Sequence, residues 1–282
     1  MAFQRKLTGM QRRVWRLVSL VVLALVTSSI AWWFARPKLI PIGQGRLAAR
    51  MRGEGRPAVV FEAGLGGAFA LYAQLQDRIA DRTRTLVYDR AGFGRSDPGS
   101  APRTAEQIAR ELRVLLGAVG IRPPVIFVCY TEGCLYTRVF AHDFPRETAG
   151  IVFIDPMTES FEERMRAATP EERNAAEARL PTAARLEQAA LATTLAEAQK
   201  AWPLPQVPCI VITSLKSSGR WPFETKQDMD AWLKDNDALV GRLGGEATHI
   251  VLPQATHASV LGGKEVSKTI LDMVQQVKEG IG

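Results

Sequence analysis

The chain has 282 residues, 46% of them apolar and 23% charged, and a formal charge of +7. It can bury a large core and is too apolar to be a disordered polyelectrolyte. Seven basic residues (Arg5, Lys6, Arg12, Arg13, Arg16, Arg36, Lys38) and no acid fall in residues 1–38, so the rest is formally neutral. A nucleic-acid partner would need a basic face on the folded body, and the charge distribution speaks against one.

Leu17 to Ala35 carries no charge and is bracketed by Arg16 and Arg36. As a helix it would be about 28 Å long, close to the hydrocarbon thickness of a bilayer. Trp32 and Trp33 stand at one end, where aromatic rings favour the membrane interface. The expectation is a basic N-terminus and membrane anchor over residues 1–38, with its helix at about 17–35. The N-terminus would be cytoplasmic and the body exported. A cleaved signal peptide competes, through Ser29-Ile30-Ala31, but the apolar run continues past that point. Pro37, Pro41 and Gly43 read as breakers, so residues 39–56 are expected to be a linker.

From Pro57 onward, short runs of Val, Ile and Phe alternate with helical patterns. The runs are "PAVVFEAGLGG", "RTLVYDRAGFGRSDPG", "PPVIFVCY", "GIVFIDP", "VPCIVITS" and "THIVLPQATH". Continuous apolar runs are the mark of strands buried on both faces, and their alternation with helices implies a mostly parallel sheet. Between the second and third runs, Ala105, Ile108, Ala109, Leu112, Leu115 and Leu116 share one helical face, and Thr104 and Gln107 have capping-box spacing. Residues 157–203, rich in Ala, Glu and Arg, interrupt the pattern and read as a helical insertion, either a lid or a solvated decoration. Cys129, Cys134 and Cys209 have no framework or zinc spacing and read as small buried residues.

"VCYTEGCLY" is a strand, a sharp turn and the start of a helix. Such turns carry nucleophiles as Gly-x-Ser-x-Gly. Here the five positions are Cys129, Tyr130, Thr131, Glu132 and Gly133. From about Pro57 onward the chain resembles the α/β-hydrolase superfamily, and within it the branch with a "YDRAGFGxSD" loop, which stands here at Tyr88 to Asp97. The helix "PRTAEQIARELRVLL" and the strand end "FIDP" look like the same branch.

The resemblance implies an α/β-hydrolase domain over 57–282 with a helical cap at about 157–203. It puts Thr131 at the nucleophile position and His257 at the base position. The acid is implied at Asp155, with Asp228 as the alternative. Oxyanion-hole N–H groups would come from Leu65 and Glu132. Cys129, Tyr130 and Gly133 would shape the elbow. A β-branched Thr131 suits the strained elbow poorly, and the Glu132 carboxylate would oppose a developing oxyanion. The function implied is cleavage of a carboxylic ester, or less readily an amide, in a small-molecule substrate. Neither a metal nor an organic cofactor is implied. The competing reading is an inactive relative that binds a ligand or partner in the same pocket.

Overall fold

A computed structural model of the protein describes residues 37–67, 69–160, 163, 180–218, 225–245 and 247–281. The described residues from Lys38 onward form an eight-stranded sheet. In chain order its strands are β1 (Lys38–Pro41), β2 (Arg46–Arg52), β3 (Val59–Glu62), β4 (Thr85–Tyr88), β5 (Val125–Tyr130), β6 (Thr148–Ile154), β7 (Cys209–Ser214) and β8 (Thr248–Leu252). Across the sheet the order is β1-β2-β4-β3-β5-β6-β7-β8. The β4-β3-β5-β6-β7-β8 part is parallel, and β1 and β2 add antiparallel to its edge.

Two expectations are corrected here. Residues 39–56 are not a linker: most of β1 and all of β2 lie within them and extend the sheet. Arg50 hid β2 from the sequence pattern, because a charge interrupts the alternation. In the fold its guanidinium is buried and donates to Gln76 Oε1 at 2.6 Å and to the Ala73 carbonyl at 3.1 Å. Pro41 is tolerated because β1 is an edge strand. The second correction concerns the transmembrane helix that the expected fold included. Among the described residues no helix is long and apolar enough to cross a membrane. The expected span at 17–35 lies outside the described residues.

Apolar faces pack on both sides of the sheet. On one side lie α1 (Ala73–Ala80) and the closing helix α7 (Lys264–Ile281), with Leu75, Ile79, Val266, Ile270 and Met273 against Val59, Phe61, Val128 and Ile154. On the other lie α2 (Ala105–Ala118) and α3 (Gly133–Asp143). The face read on α2 is buried as expected, and Thr104 caps it by accepting the Gln107 N–H at 3.4 Å.

The insertion is helical where described, with α4 (Thr182–Ala189) and α5 (Leu191–Lys200). Its second half is no solvated decoration. Leu191, Leu195 and Ala198 of α5 join the core, and Arg138 of α3 donates to the Ala198 carbonyl at 2.6 Å. The long α6 (Lys226–Leu243) then leads into β8.

Candidate active site

The parallel strands deliver their C-terminal ends to one edge of the sheet, and Thr131, Glu132, Asp155 and His257 collect there. β5 ends at Tyr130 and α3 begins at Gly133, so Thr131 and Glu132 form the whole turn. Thr131 has φ +48°. For a β-branched residue that is an outlier costing on the order of 1–3 kcal/mol. The turn is held from three sides. Thr131 N–H donates to the Ile154 carbonyl at 3.2 Å, and its own carbonyl accepts from Cys134 N at 3.0 Å and Met157 N at 3.1 Å. Gly133 is required by close approach: any side chain there would collide with the Glu62 and Ala63 carbonyls.

Cys129 and Cys134 are joined in a disulfide around the apex. This corrects the reading of all three cysteines as plain buried thiols. A sharp turn brings positions five apart to a Cα–Cα distance of 4.9 Å, which spacing alone does not reveal. Cys209 does match that reading: it is free and buried, its thiol pushed up to about 12 by burial.

Asp155 also has a positive φ, +43°, at the end of β6. That strained backbone turns its wholly buried carboxylate toward β7 and the loop after β8. It accepts from Ser214 N at 2.7 Å, Ser214 Oγ at 2.6 Å and His257 Nδ1 at 2.9 Å. Because a carboxylate only accepts, Nδ1 carries the proton and the lone pair is left on Nε2. The ring stacks on Tyr130, with centroids 4.7 Å apart and planes 23° apart. Tyr130 also donates its phenol O–H to the His257 carbonyl at 2.6 Å. Burial, reinforced by the charge of Asp155, pushes the Tyr130 phenol well up, so it stays a neutral donor.

The alternative acid, Asp228, is elsewhere. It caps the exposed start of α6, accepting from Thr225 N at 3.1 Å and from Thr225 Oγ1 at 2.5 Å. His249 is held between Thr213 and Asp237 at 2.7 Å each, and His142 is exposed on α3.

Thr131 does not bond to His257. Its hydroxyl donates to Glu132 Oε2 at 2.5 Å, and the same oxygen accepts the Leu65 N–H at 3.0 Å. The side chain of Glu132 thus takes up one of the two expected oxyanion-hole donors. Gly64 makes room for this. Its α-carbon faces Thr131 Oγ1 so closely that even a methyl group would overlap it.

The turn that presents Leu65 is fixed by Arg90. Arg90 donates to the Ala63 carbonyl at 2.6 Å and the Gly64 carbonyl at 2.9 Å. It also pairs with Glu62 at 2.9 Å and with Glu187 of α4 at 2.8 Å, all three side chains being buried. Burial alone would lower its pKa, but Glu187 and then Glu62 outweigh it and hold the guanidinium well above its ordinary value. Leu65 itself packs against the cluster of Phe93, Ala183 and Ala184. Helix α4 is therefore tied to the Leu65 turn by charge, through Arg90, and by apolar contact. Neither Glu187 nor Ser214 carries a sequence signal for its role. Among the described residues no group of His, Cys, Asp and Glu side chains converges to hold a metal ion.

Comparison with known proteins agrees with the fold. Among solved structures the chain is similar to the enol-lactonase from Burkholderia xenovorans LB400, with TM-score 0.58 and 20% identity over 84% of this chain and 100% of that one. It is likewise similar to a thermophilic esterase from Thermogutta terrifontis, with TM-score 0.58 and 18% identity over 86% of this chain and 98% of that one. At these identities the likeness shows the fold. Among curated proteins it is 35% identical to the YqjL protein of Bacillus subtilis (strain 168), over 37% of this chain and 42% of that protein. It is 32% identical to an AB hydrolase superfamily protein of Gibberella zeae, over 39% of this chain and 35% of that protein. The matched stretch spans less than half the length of each of these two relatives. A family model for the alpha/beta hydrolase fold matches residues 57–243. The match covers well over half of the chain, and the chain belongs to the alpha/beta hydrolase fold family.

Proposed function

We propose that this protein hydrolyses a carboxylic ester of a small molecule, with amides a poorer substrate, through Thr131, His257 and Asp155. The observation that carries the reading is the pair of positive-φ residues. Both Thr131 at +48° and Asp155 at +43° hold a costly backbone, and each sits where a catalytic side chain is needed. A dead turn with a β-branched apex has no reason to keep that strain.

In the reaction, the Thr131 hydroxyl leaves Glu132 and turns to His257 Nε2. Oγ1 attacks the ester carbonyl carbon as the proton passes to Nε2. The Leu65 and Glu132 N–H groups stabilise the oxyanion once the Glu132 side chain has withdrawn. Nε2 returns the proton to the leaving alcohol, giving an acyl-Thr131. Water, deprotonated by the same nitrogen, releases the acid and restores Thr131. Asp155 holds the tautomer throughout and stabilises the imidazolium that forms.

A second reading, an inactive relative that binds a ligand in this pocket, is favoured by one specific contact: the Glu132 carboxylate on the Leu65 N–H. Turnover of short-chain p-nitrophenyl esters by the full chain, Thr131→Ser and Thr131→Ala separates the two. Thr131→Ser relieves the β-branched strain and is expected to gain about tenfold, equivalent to ~1.4 kcal/mol. Thr131→Ala is expected to lose essentially all turnover. Equal rates for wild type and Thr131→Ala would remove Thr131 from the mechanism.

A further inference from the structure

Glu132 Oε2 stands 3.0 Å from the Leu65 nitrogen and 2.5 Å from Thr131 Oγ1. A carbonyl oxygen turning into an oxyanion needs a place 2.7–3.1 Å from such a donor, beside the nucleophile. The side-chain oxygen of Glu132 already occupies that place. Gly64 closes its other side, with Thr131 Oγ1 and Glu132 Oε2 both packed over its α-carbon. Two oxygens do not fit there, so any ligand that uses the Leu65 N–H must displace Glu132. Arg90, buried against the same turn, is already spent on Glu62, Glu187 and the Ala63 and Gly64 carbonyls. Among the described residues no ion pair involves Glu132, so its charge is not cancelled locally.

We infer that Glu132 determines which ligands this pocket accepts. Resting on the hydrolase reading of the site, the inference names a substrate class: esters whose acyl group is neutral or cationic. Acyl chains bearing a carboxylate are rejected, and the free acid product is expelled. A neutral carbonyl oxygen exchanges places with the carboxylate, which swings out toward solvent. A carboxylate ligand meets a like charge it cannot displace far, and two carboxylates sharing one partly buried site repel. A cationic acyl substituent finds an unpaired counter-charge at the mouth of the hole.

The test is binding, which does not need turnover. Dissociation constants for butanoate and for butanamide are measured by titration of the full chain, Glu132→Gln and Glu132→Ala. Butanoate is expected to bind both variants at least tenfold more tightly than wild type. Butanamide, which carries no charge, should change less than threefold in Glu132→Gln. Butanoate affinities within twofold across all three proteins would overturn the inference, as would no measurable butanoate binding to any. Turnover of p-nitrophenyl butanoate in the same preparations judges the hydrolase reading separately. Tighter butanoate binding in silent variants would sustain the role of Glu132 and sink the hydrolysis. Active variants with unchanged butanoate binding would do the reverse.

Discussion

The acid–base half of the site and its nucleophile half sit on neighbouring strand ends, yet they are prepared to different degrees. Around His257 every contact a working base needs is already made: Asp155 on Nδ1, Ser214 on Asp155, and Tyr130 stacked beneath the ring and bonded to its carbonyl. Around Thr131 the backbone strain is in place, but the hydroxyl points to Glu132 and the Leu65 donor is taken. The first half is held by the Asp155–His257 bond, with Asp155 itself fixed by two buried bonds from Ser214. The second depends on one partly buried side chain that must move. On the proposed hydrolysis, catalytic capacity would be stored around His257 and gated at Thr131.

If that contrast is right, removing the prepared half is the most damaging change. His257→Ala is expected to cut ester turnover at least about 10³-fold, or ~4 kcal/mol of transition-state stabilisation. Steady-state rates of purified wild type and variant decide it. A loss under tenfold would mean that another group takes the proton of Thr131, with Glu132 the first suspect.

The next largest effects concern Arg90, which ties the oxyanion turn to the cap. Arg90→Met leaves Glu62 and Glu187 buried without a counter-charge and should cost about 3–5 kcal/mol in urea unfolding. Adding Glu187→Leu should recover much of that, because the uncompensated carboxylate goes with it. A cost below about 1 kcal/mol for the single variant would show that the cap and the turn are held by apolar packing alone.

Glu62 adds a pH dependence to the same cluster. Burial pushes its carboxyl from 4.5 up to about 7, against the opposing Arg90 charge and the hydrogen bond from Tyr88. The folded protein therefore holds this proton more tightly than the unfolded chain does. That contribution is complete below about pH 4.5 and fades as pH rises through about 7. Glu62→Gln keeps the shape and cannot titrate. The stability of wild type minus that of Glu62→Gln should fall between pH 4.5 and 7.5, by on the order of 3 kcal/mol. Parallel pH curves for the two proteins would place the shared proton elsewhere in the cluster.

The prepared half of the site was also the half legible in the sequence. Strands β3 to β7 announce themselves as unbroken apolar runs because both their faces are buried, and a strand end followed by a site residue is a local pattern. Asp155 and His257 could be chosen that way. The gated half was legible only as an anomaly. Thr131 and Glu132 stand at named positions of a turn, but where the Glu132 carboxylate points depends on Gly64 and Leu65, 67 positions upstream in the case of Leu65. The pairing of Arg90 with Glu187 spans 97 positions and leaves no periodicity to read. Strands β1 and β2 were missed for a different reason. Their charged residues and breakers copy the signal of a linker, and only Gln76 and the Ala73 carbonyl explain how Arg50 comes to be buried.

The smallest expected effect probes how the prepared half is held. Tyr130 touches His257 twice, once by stacking and once through its hydroxyl, and it lies immediately before the apex. Tyr130→Phe keeps the stack and deletes one neutral hydrogen bond, a contribution of about 1 kcal/mol. If that bond only stabilises the fold, the variant should melt earlier with its kinetics intact. If it sets the height of the imidazole over Thr131, kcat should fall about two- to fivefold while KM stays level, since a displaced base weakens the transition state and leaves ground-state binding alone. The second outcome is expected, because the bond fixes the backbone of His257 in a half-exposed loop and so adds to the hold of Asp155 on the ring. A change in KM alone would assign Tyr130 to the wall of the substrate pocket.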